Sequence, residues 1–384
     1  MGLDGFLAFT RKKYPDVILT EHITLYSHQR LFMDIASYIY KYICVFGNND
    51  TKWLECMFQM FLNLKSYKVH VVPIFDGVSP IEKQGEVDDR KEKRLQIKNK
   101  AKLLEQAVEG YKNKSLSDEQ EQLIRDVLTD LEKKNKSSKL KSLLFQKTKS
   151  LSPKIENISD IDIVDIETYI CSLKKTMFYV GSKETDLIKE MLSILGIPYI
   201  QAPQEAEACC STLCKMGYGS AVISCDTDCF AHGCPCTVLS YDVSSGMITT
   251  VKMDELLEQM ELTQDEFIDF SILIGCDYNK KTKLKNVGPV KALELIKKYR
   301  KIELIEGYNI EQMEYKKIRL LFNNIISPKS KLLRIKPHTN IDKKALNNFT
   351  DEYNIRCNYN RLKELMKEYD KTPEIQFLEN EDTF

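Results

Sequence analysis

VHVVPIFD, residues 69–76, decides the reading of this chain. An apolar, β-branched run that ends in an acid is the pattern of a strand buried on both faces. RLFMD (30–34) and AVISCD (221–226) repeat it. Helical patterns lie between the runs. Residues 51–65 carry Trp53, Leu54, Met57, Phe58, Phe61, Leu62 and Leu64 at helical spacing. Residues 184–195 form an amphipathic run that stops at Gly196, as a helix C-terminus does. Strands alternating with helices predict an α/β fold, a mostly parallel central sheet flanked by helices. Ligands bind such sheets at the C-terminal edge of the strands, where Asp34, Asp76 and Asp226 are expected.

Acidic and basic residues balance, 56 against 56, so the global charge names no partner. Their distribution is uneven. Residues 83–150 hold 18 Lys/Arg against 12 Asp/Glu, and residues 279–300 hold eight basic residues against Glu294 alone. Local basic patches on a neutral chain suggest an anionic ligand touched at defined places. The 12 cysteines read as reduced thiols of an intracellular protein. Cys225, Cys229, Cys234 and Cys236 surround His232, but C-x3-C and C-x-C lack a second matching pair. They are read as buried thiols beside a core strand, not as a zinc site. No apolar run approaches the roughly 18 residues of a membrane span. MGLDGF has Gly2 but Phe6 at the sixth position, which does not fit myristoylation.

Four more acids join the three strand ends. Asp228 follows Asp226 by two residues, so in continuing extended chain both side chains point the same way. Glu205 and Glu207, in APQEAEACC, would stand about 200° apart on a regular helix. They converge if the chain is still entering the helix there, and Pro203 marks such an entry. Asp277 ends the apolar stretch FIDFSILIGCD. Clustered carboxylates repel and raise one another's pKa values. Hard divalent cations relieve that repulsion, and Mg²⁺ favours carboxylate oxygens. The joint pattern therefore points to a metal-dependent hydrolase of phosphodiesters, a two-ion chemistry.

MGLDGF, RLFMDIASYIY, PIFDG, APQEAEACC, SCDTDCFAHG and LIGCDY followed by NVGPVKALELI stand in the order found in flap endonucleases and the xeroderma-pigmentosum G type. The chain resembles these structure-specific 5′ nucleases over roughly residues 1–100 and 165–310. The resemblance implies a PIN-like nuclease core with a helical arch and a helix-hairpin-helix region. It implies two Mg²⁺ ions, with Mn²⁺ as substitute: Asp34, Asp76, Glu205 and Glu207 mainly for the first, Asp226, Asp228 and Asp277 mainly for the second. Lys83 and Arg90 match the family's basic pair at the base of the arch, and residues seven apart share a helical face. Tyr40 matches its base-stacking tyrosine, and Gly2 its buried glycine near DNA. At Asn286–Ala292 (NVGPVKA), the resemblance implies a hairpin turn whose glycine, Gly288, permits a tight turn and whose helix amides face a phosphate. A K⁺ ion is implied there too, although Asn286 stands where G-x-G is usual. Lys285, Lys291, Lys297 and Lys298 would add backbone contacts.

The expected divisions are 1–80 and 161–275 as two nuclease halves, 81–160 as a charged helical insertion, 276–340 as the hairpin region and 341–384 as a tail. Within the insertion, 89–109 and 118–134 are expected as exposed helices and 135–160 as a loose connection. The expected function is a DNA endonuclease cutting near single-strand/double-strand junctions, of 5′-flap type. The alternatives are a bubble or four-way-junction endonuclease, a 5′ ribonuclease and a non-catalytic scaffold. The expected partner is branched or flapped DNA, bound by a monomer. Sliding-clamp binding is not supported, because Gln376 is followed three residues on by Glu379. The expected compartment is the nucleus, or a viral or cytoplasmic one for a large DNA virus.

Overall fold

The computed structural model describes residues 2–47, 51–142, 158, 160–324 and 341–356. The 376–379 segment of the tail lies outside them. Seven strands form one sheet: β1 (Leu19–His22), β2 (Arg30–Asp34), β3 (His70–Phe75), β4 (Ile200–Gln201), β5 (Ala221–Ile223), β6 (Cys236–Tyr241) and β7 (Met247–Lys252). Their order is β1-β7-β6-β5-β2-β3-β4. β4, β3, β2, β5 and β6 run parallel, while β7 is antiparallel to both β6 and β1. From β2 the chain moves first to β3 on one side and later to β5 on the other. The β2/β5 boundary is thus the switch point at which doubly wound sheets open a crevice.

Every residue of β3 is buried, as the apolar run 71–75 predicts for a central parallel strand. Phe32, Val72, Ile74 and Val222 pack on Cys209, Cys210 and Leu213 of helix Ala206–Lys215. A larger cluster joins Phe6 of helix Phe6–Lys13 to Phe230, Phe267 and Phe270. Phe6 meets Phe267 edge-on at 5.5 Å. Helix Lys52–Ser66 and helix Ser182–Ile194 stand where the periodicity places them.

The chain divides into two compact units, Met1–Glu86 with Val180–Phe384, and Val87–Tyr179. In the second, Leu104, Ala107, Ile124, Val127 and Ile166 share one small core. The helices here are longer than expected: Gln84–Lys112 and Asp118–Ser142, so the chain is helical through 135–142. Helix Asp160–Thr176 supplies Ile163, Ile166 and Ile170 to the same core. The inserted unit therefore runs past residue 161, because that helix buries its apolar face on the insertion. Residues 143–157 and 159 lie outside the described residues.

Candidate metal centre

Asp34 is the last residue of β2, and its Oδ2 accepts the Ser224 hydroxyl at 3.0 Å. The same oxygen of Ser224 accepts the Asp226 amide at 3.0 Å. One buried hydroxyl thus fixes two acids across the β2/β5 boundary. Asp228 does not follow in extended chain. β5 stops at Ile223, and Asp228 opens the short helix Asp228–Ala231. Asp226 Oδ1 accepts the Asp228 amide at 3.1 Å, an Asx turn that outcompetes the strand. The two acids are joined by that turn instead of by strand alternation.

Glu205 is the extended N-cap of helix Ala206–Lys215, and Glu207 is its second residue. The entry geometry needed for their convergence is present. Asp76 follows β3 and reaches the same helix start: its Oδ1 accepts the Ala206 amide at 2.9 Å. That approach depends on Gly77, whose amide meets Gln204 O at 2.6 Å. A Cβ there would stand 2.1 Å from Ala202 O. Asp76 is the exposed member of the set; the other six acids are buried.

Asp277 lies in the loop after helix Gln264–Ile274, where Asn279 Oδ1 accepts the Cys276 amide at 2.9 Å. The segment after residue 1 clamps this loop to the Asp226–Asp228 turn. Leu3 N donates to Thr227 Oγ1 at 2.7 Å, and Asp4 N to Gly275 O at 2.9 Å. Gly2 takes φ 83°, and a Cβ on it would lie 2.2 Å from Asp226 Oδ1. Both its conformation and its closeness require glycine.

Cations are drawn into this cluster. Lys83 pairs with Glu205 and stands 3.5 Å from Glu207 and 3.6 Å from Asp277. Lys280 lies 2.8 Å from Asp277 and 2.8 Å from Glu86. The Tyr278 hydroxyl donates to Glu205. The sequence reading singles out neither Tyr278 nor Lys280, although one adjoins Asp277 in LIGCDY and the other lies in the 279–300 basic run. Lys83 closes the turn Ile81–Lys83, just before helix Gln84–Lys112 instead of inside it. Arg90 lies on that helix in the second unit.

Burial pushes the Asp34 carboxyl up to about 7, helped by Asp76 and Asp226. Burial first, and neighbouring acids second, raise Asp228 far above the carboxylate range, against the pull of Lys83. Burial also raises Glu207, with Lys83 opposing and Glu205 and Asp226 adding to the rise. For Lys83, burial alone would lower the pKa, but Glu207, Glu205 and Asp277 outweigh it and raise it.

Among the described residues, no three acid, cysteine or histidine side chains stand closely enough as placed to hold an ion. Lys83 and Lys280 lodge between the acids. Even so, the donor set fits a hard divalent ion. All its donor atoms are carboxylate oxygens, Asp228 Oδ1 is buried without a hydrogen-bond partner, and an ammonium already stands among three acids.

The XPG N-terminal domain matches residues 1–97, and the XPG I-region matches residues 196–277. The two matched stretches contain all seven acids. Over these stretches the chain is similar to the flap endonuclease and XPG family. It is 28% identical to a probable RAD2-like endonuclease, 369L, of Invertebrate iridescent virus 6, over 84% of this chain and 80% of the relative. It is 28% identical to Flap endonuclease 1 of Micromonas commoda, over 84% of this chain and 74% of the relative. Its fold resembles the catalytic core of Rad2 solved in complex with DNA substrate. There the TM-score is 0.61 and the identity 16%, covering 96% of this chain and all of that one.

The remaining candidate residues of this flap endonuclease relative fall on two elements. Tyr40 lies on helix Ile35–Phe46, directly after Asp34, and is 37% exposed instead of serving the core. In the hairpin turn the left-handed residue is Asn286, at φ 62°, which asparagine tolerates. Gly288 is extended, so the tight turn expected of it falls to Asn286 instead. Gly288 caps helix Pro289–Tyr299 without a side-chain cap, and nothing lies within 4 Å of where its Cβ would be. Lys285 and Lys291 are exposed, the latter 5.3 Å over the Tyr308 ring. Lys297 is committed to Glu261 at 2.8 Å. Cys229, Cys234, Cys236 and His232 are buried, Cys225 partly so. No helix among the described residues is long and apolar enough to cross a membrane.

Proposed function

We propose that this protein is a structure-specific DNA endonuclease that hydrolyses a phosphodiester near a single-strand/double-strand junction, with 5′ polarity and Mg²⁺ in the carboxylate centre. The observation that carries the reading is the gathering of the acids at one sheet edge with the Lys83 ammonium among three of them. The flap endonucleases to which the chain is similar, and the Rad2 core solved with DNA substrate, support the substrate class.

Asp34, Asp76, Glu205 and Glu207 would hold one ion, and Asp226, Asp228 and Asp277 the other. Bound there, the two ions would activate the attacking water and offset charge on the leaving oxygen. Lys83 donates to the scissile phosphate and stabilises charge that develops on it. Arg90 is the second cation of the family pattern. Tyr40 stacks on the last base at the junction. Gly288, with the amides of Val290 and Lys291, receives a phosphate of the duplex backbone, and Lys285 adds a salt-dependent contact. K⁺ at the Asn286 turn and a monomeric state belong to the same reading.

The direct test is single-turnover cleavage of a labelled 5′-flap duplex. Incision near the junction is expected with Mg²⁺ and none with a chelator. A wild-type protein that leaves the flap intact, or an Asp226→Asn variant that cuts undiminished, sinks the proposal. Bubble, four-way-junction and RNA-flap substrates in the same assay rank the substrate structures.

A further inference from the structure

Asp277 is shared between two ammonium groups. Its Oδ1 lies 2.8 Å from Lys280 and its Oδ2 3.6 Å from Lys83. The two lysines differ in what else they hold. The other partners of Lys83 are Glu205 and Glu207, both members of the metal centre. Lys280 also holds Glu86, at 2.8 Å, and Glu86 belongs to neither ligand group.

We propose that Lys280 is a positioning counter-cation that competes with the second metal ion for Asp277, with Glu86 as its alternative seat. The inference rests on the two-ion reading. An ammonium nitrogen 2.8 Å from a carboxylate oxygen occupies space that Mg²⁺, at about 2.0–2.1 Å from its ligands, would need. The two positive charges also repel at that range. Lys280 can leave Asp277 without losing its charge partner, because Glu86 remains. The pairing is not at the open surface: the side chain of Lys280 is 31% exposed, that of Glu86 9% and that of Asp277 1%. Charge at position 280 therefore sets how tightly the ion at Asp277 is held, and Glu86 sets how far Lys280 leans toward Asp277. Without an ion, the same lysine adds to Lys83 in compensating the buried charge of Asp277.

The test is Mn²⁺ binding to the DNA-free protein, by calorimetry and by the electron paramagnetic resonance of free Mn²⁺. Lys280→Met should tighten the weaker ion about five- to tenfold, the worth of a partly buried charge pair. Glu86→Gln should move it the opposite way, about threefold, by leaving Asp277 as the one carboxylate of the two that still draws Lys280. In the Lys280→Met background, Glu86→Gln should change the affinity less than twofold, because its effect runs through Lys280. Lys280→Arg, which keeps the charge, should stay near wild type. The metal-free Lys280→Met protein should melt lower than wild type and recover with Mn²⁺. Unchanged or weakened Mn²⁺ binding in Lys280→Met overturns the proposal. So does a Glu86→Gln effect that persists without Lys280. A wild-type protein that binds no Mn²⁺ removes the two-ion reading itself, a separate outcome from binding that ignores position 280.

Discussion

The carboxylate edge of the core unit and the three-helix insertion carry charge in opposite ways. In the insertion, Lys112 pairs with Glu167 at 2.6 Å and Lys174 with Glu105 at 2.5 Å, and all four side chains are between 43% and 59% exposed. Their charge is solvated. The insertion is held instead by a small apolar core around Leu104, Ala107, Ile124 and Ile166. At the sheet edge six acids are buried, with Lys83 and Lys280 set against them. Burial there opposes folding in the ionised state, and hydrogen bonds and cations relieve it. The same residue types are nearly indifferent in one place and reactive in the other, because solvent reaches one and not the other.

The largest expected effect separates chemistry from folding. Asp226→Asn removes one charge of the proposed metal centre while keeping shape, so flap cleavage should fall at least a hundredfold, by roughly the cost of losing a metal partner or more. Circular dichroism should show an intact fold. Wild-type rates from this variant would put the edge on the same footing as the insertion. The converse substitution is Ile166→Ala, in the fully buried centre of the insertion. It should cost about 2–4 kcal/mol of that unit's stability. Limited proteolysis should then cut within 87–179 first. If the core unit loses protection equally, the two units do not unfold separately.

Much of this contrast is legible in the sequence. β2 ends in Asp34 and Asp76 directly follows β3, because an apolar run buried in the sheet puts the first acid at its edge. The Glu205–Glu207 pair is legible through Pro203, which marks the chain still entering its helix. The Asp226–Asp228 turn is not, since strand alternation and an Asx turn both suit two acids two apart, and only the amide geometry separates them. Helix Asp160–Thr176 is hidden for another reason. Its apolar residues face a partner outside the sheet, so alternation with strands does not reveal which unit it joins. Lys280 and Tyr278 act through distant partners, Glu86 and Glu205, that no local pattern links to them.

The buried acids predict an inverted pH dependence for the metal-free protein. Asp34 keeps its proton to about pH 7 when folded, but an unfolded aspartate loses it near pH 4. Between those values the folded state binds more protons, so stability falls as pH rises. The contribution is whole below about pH 4 and lost above about pH 7. Metal-free protein should melt a few degrees lower at about pH 8 than at about pH 5. Mg²⁺ should raise the melting temperature more at the higher pH. Asp34→Asn should flatten the profile and stabilise the metal-free protein at about pH 8 by roughly 1–2 kcal/mol. A profile that rises toward pH 8 without metal would mean the acids are already compensated.

The smallest effect is expected at a close but exposed contact. Lys112 meets Glu167 at 2.6 Å, a closer approach than Lys280 makes to Asp277 at 2.8 Å. Distance alone would rank the insertion pair higher. Water decides otherwise, because exposed pairs are screened and must also order two long side chains. Lys112→Ala should change the insertion's stability by less than about 1 kcal/mol, and raised salt should shrink that further. Hydrogen exchange of the insertion's amides, at low and at high salt, measures it. A loss comparable to that of Ile166→Ala would show that the insertion is held by its charges, and the contrast with the carboxylate edge would fail.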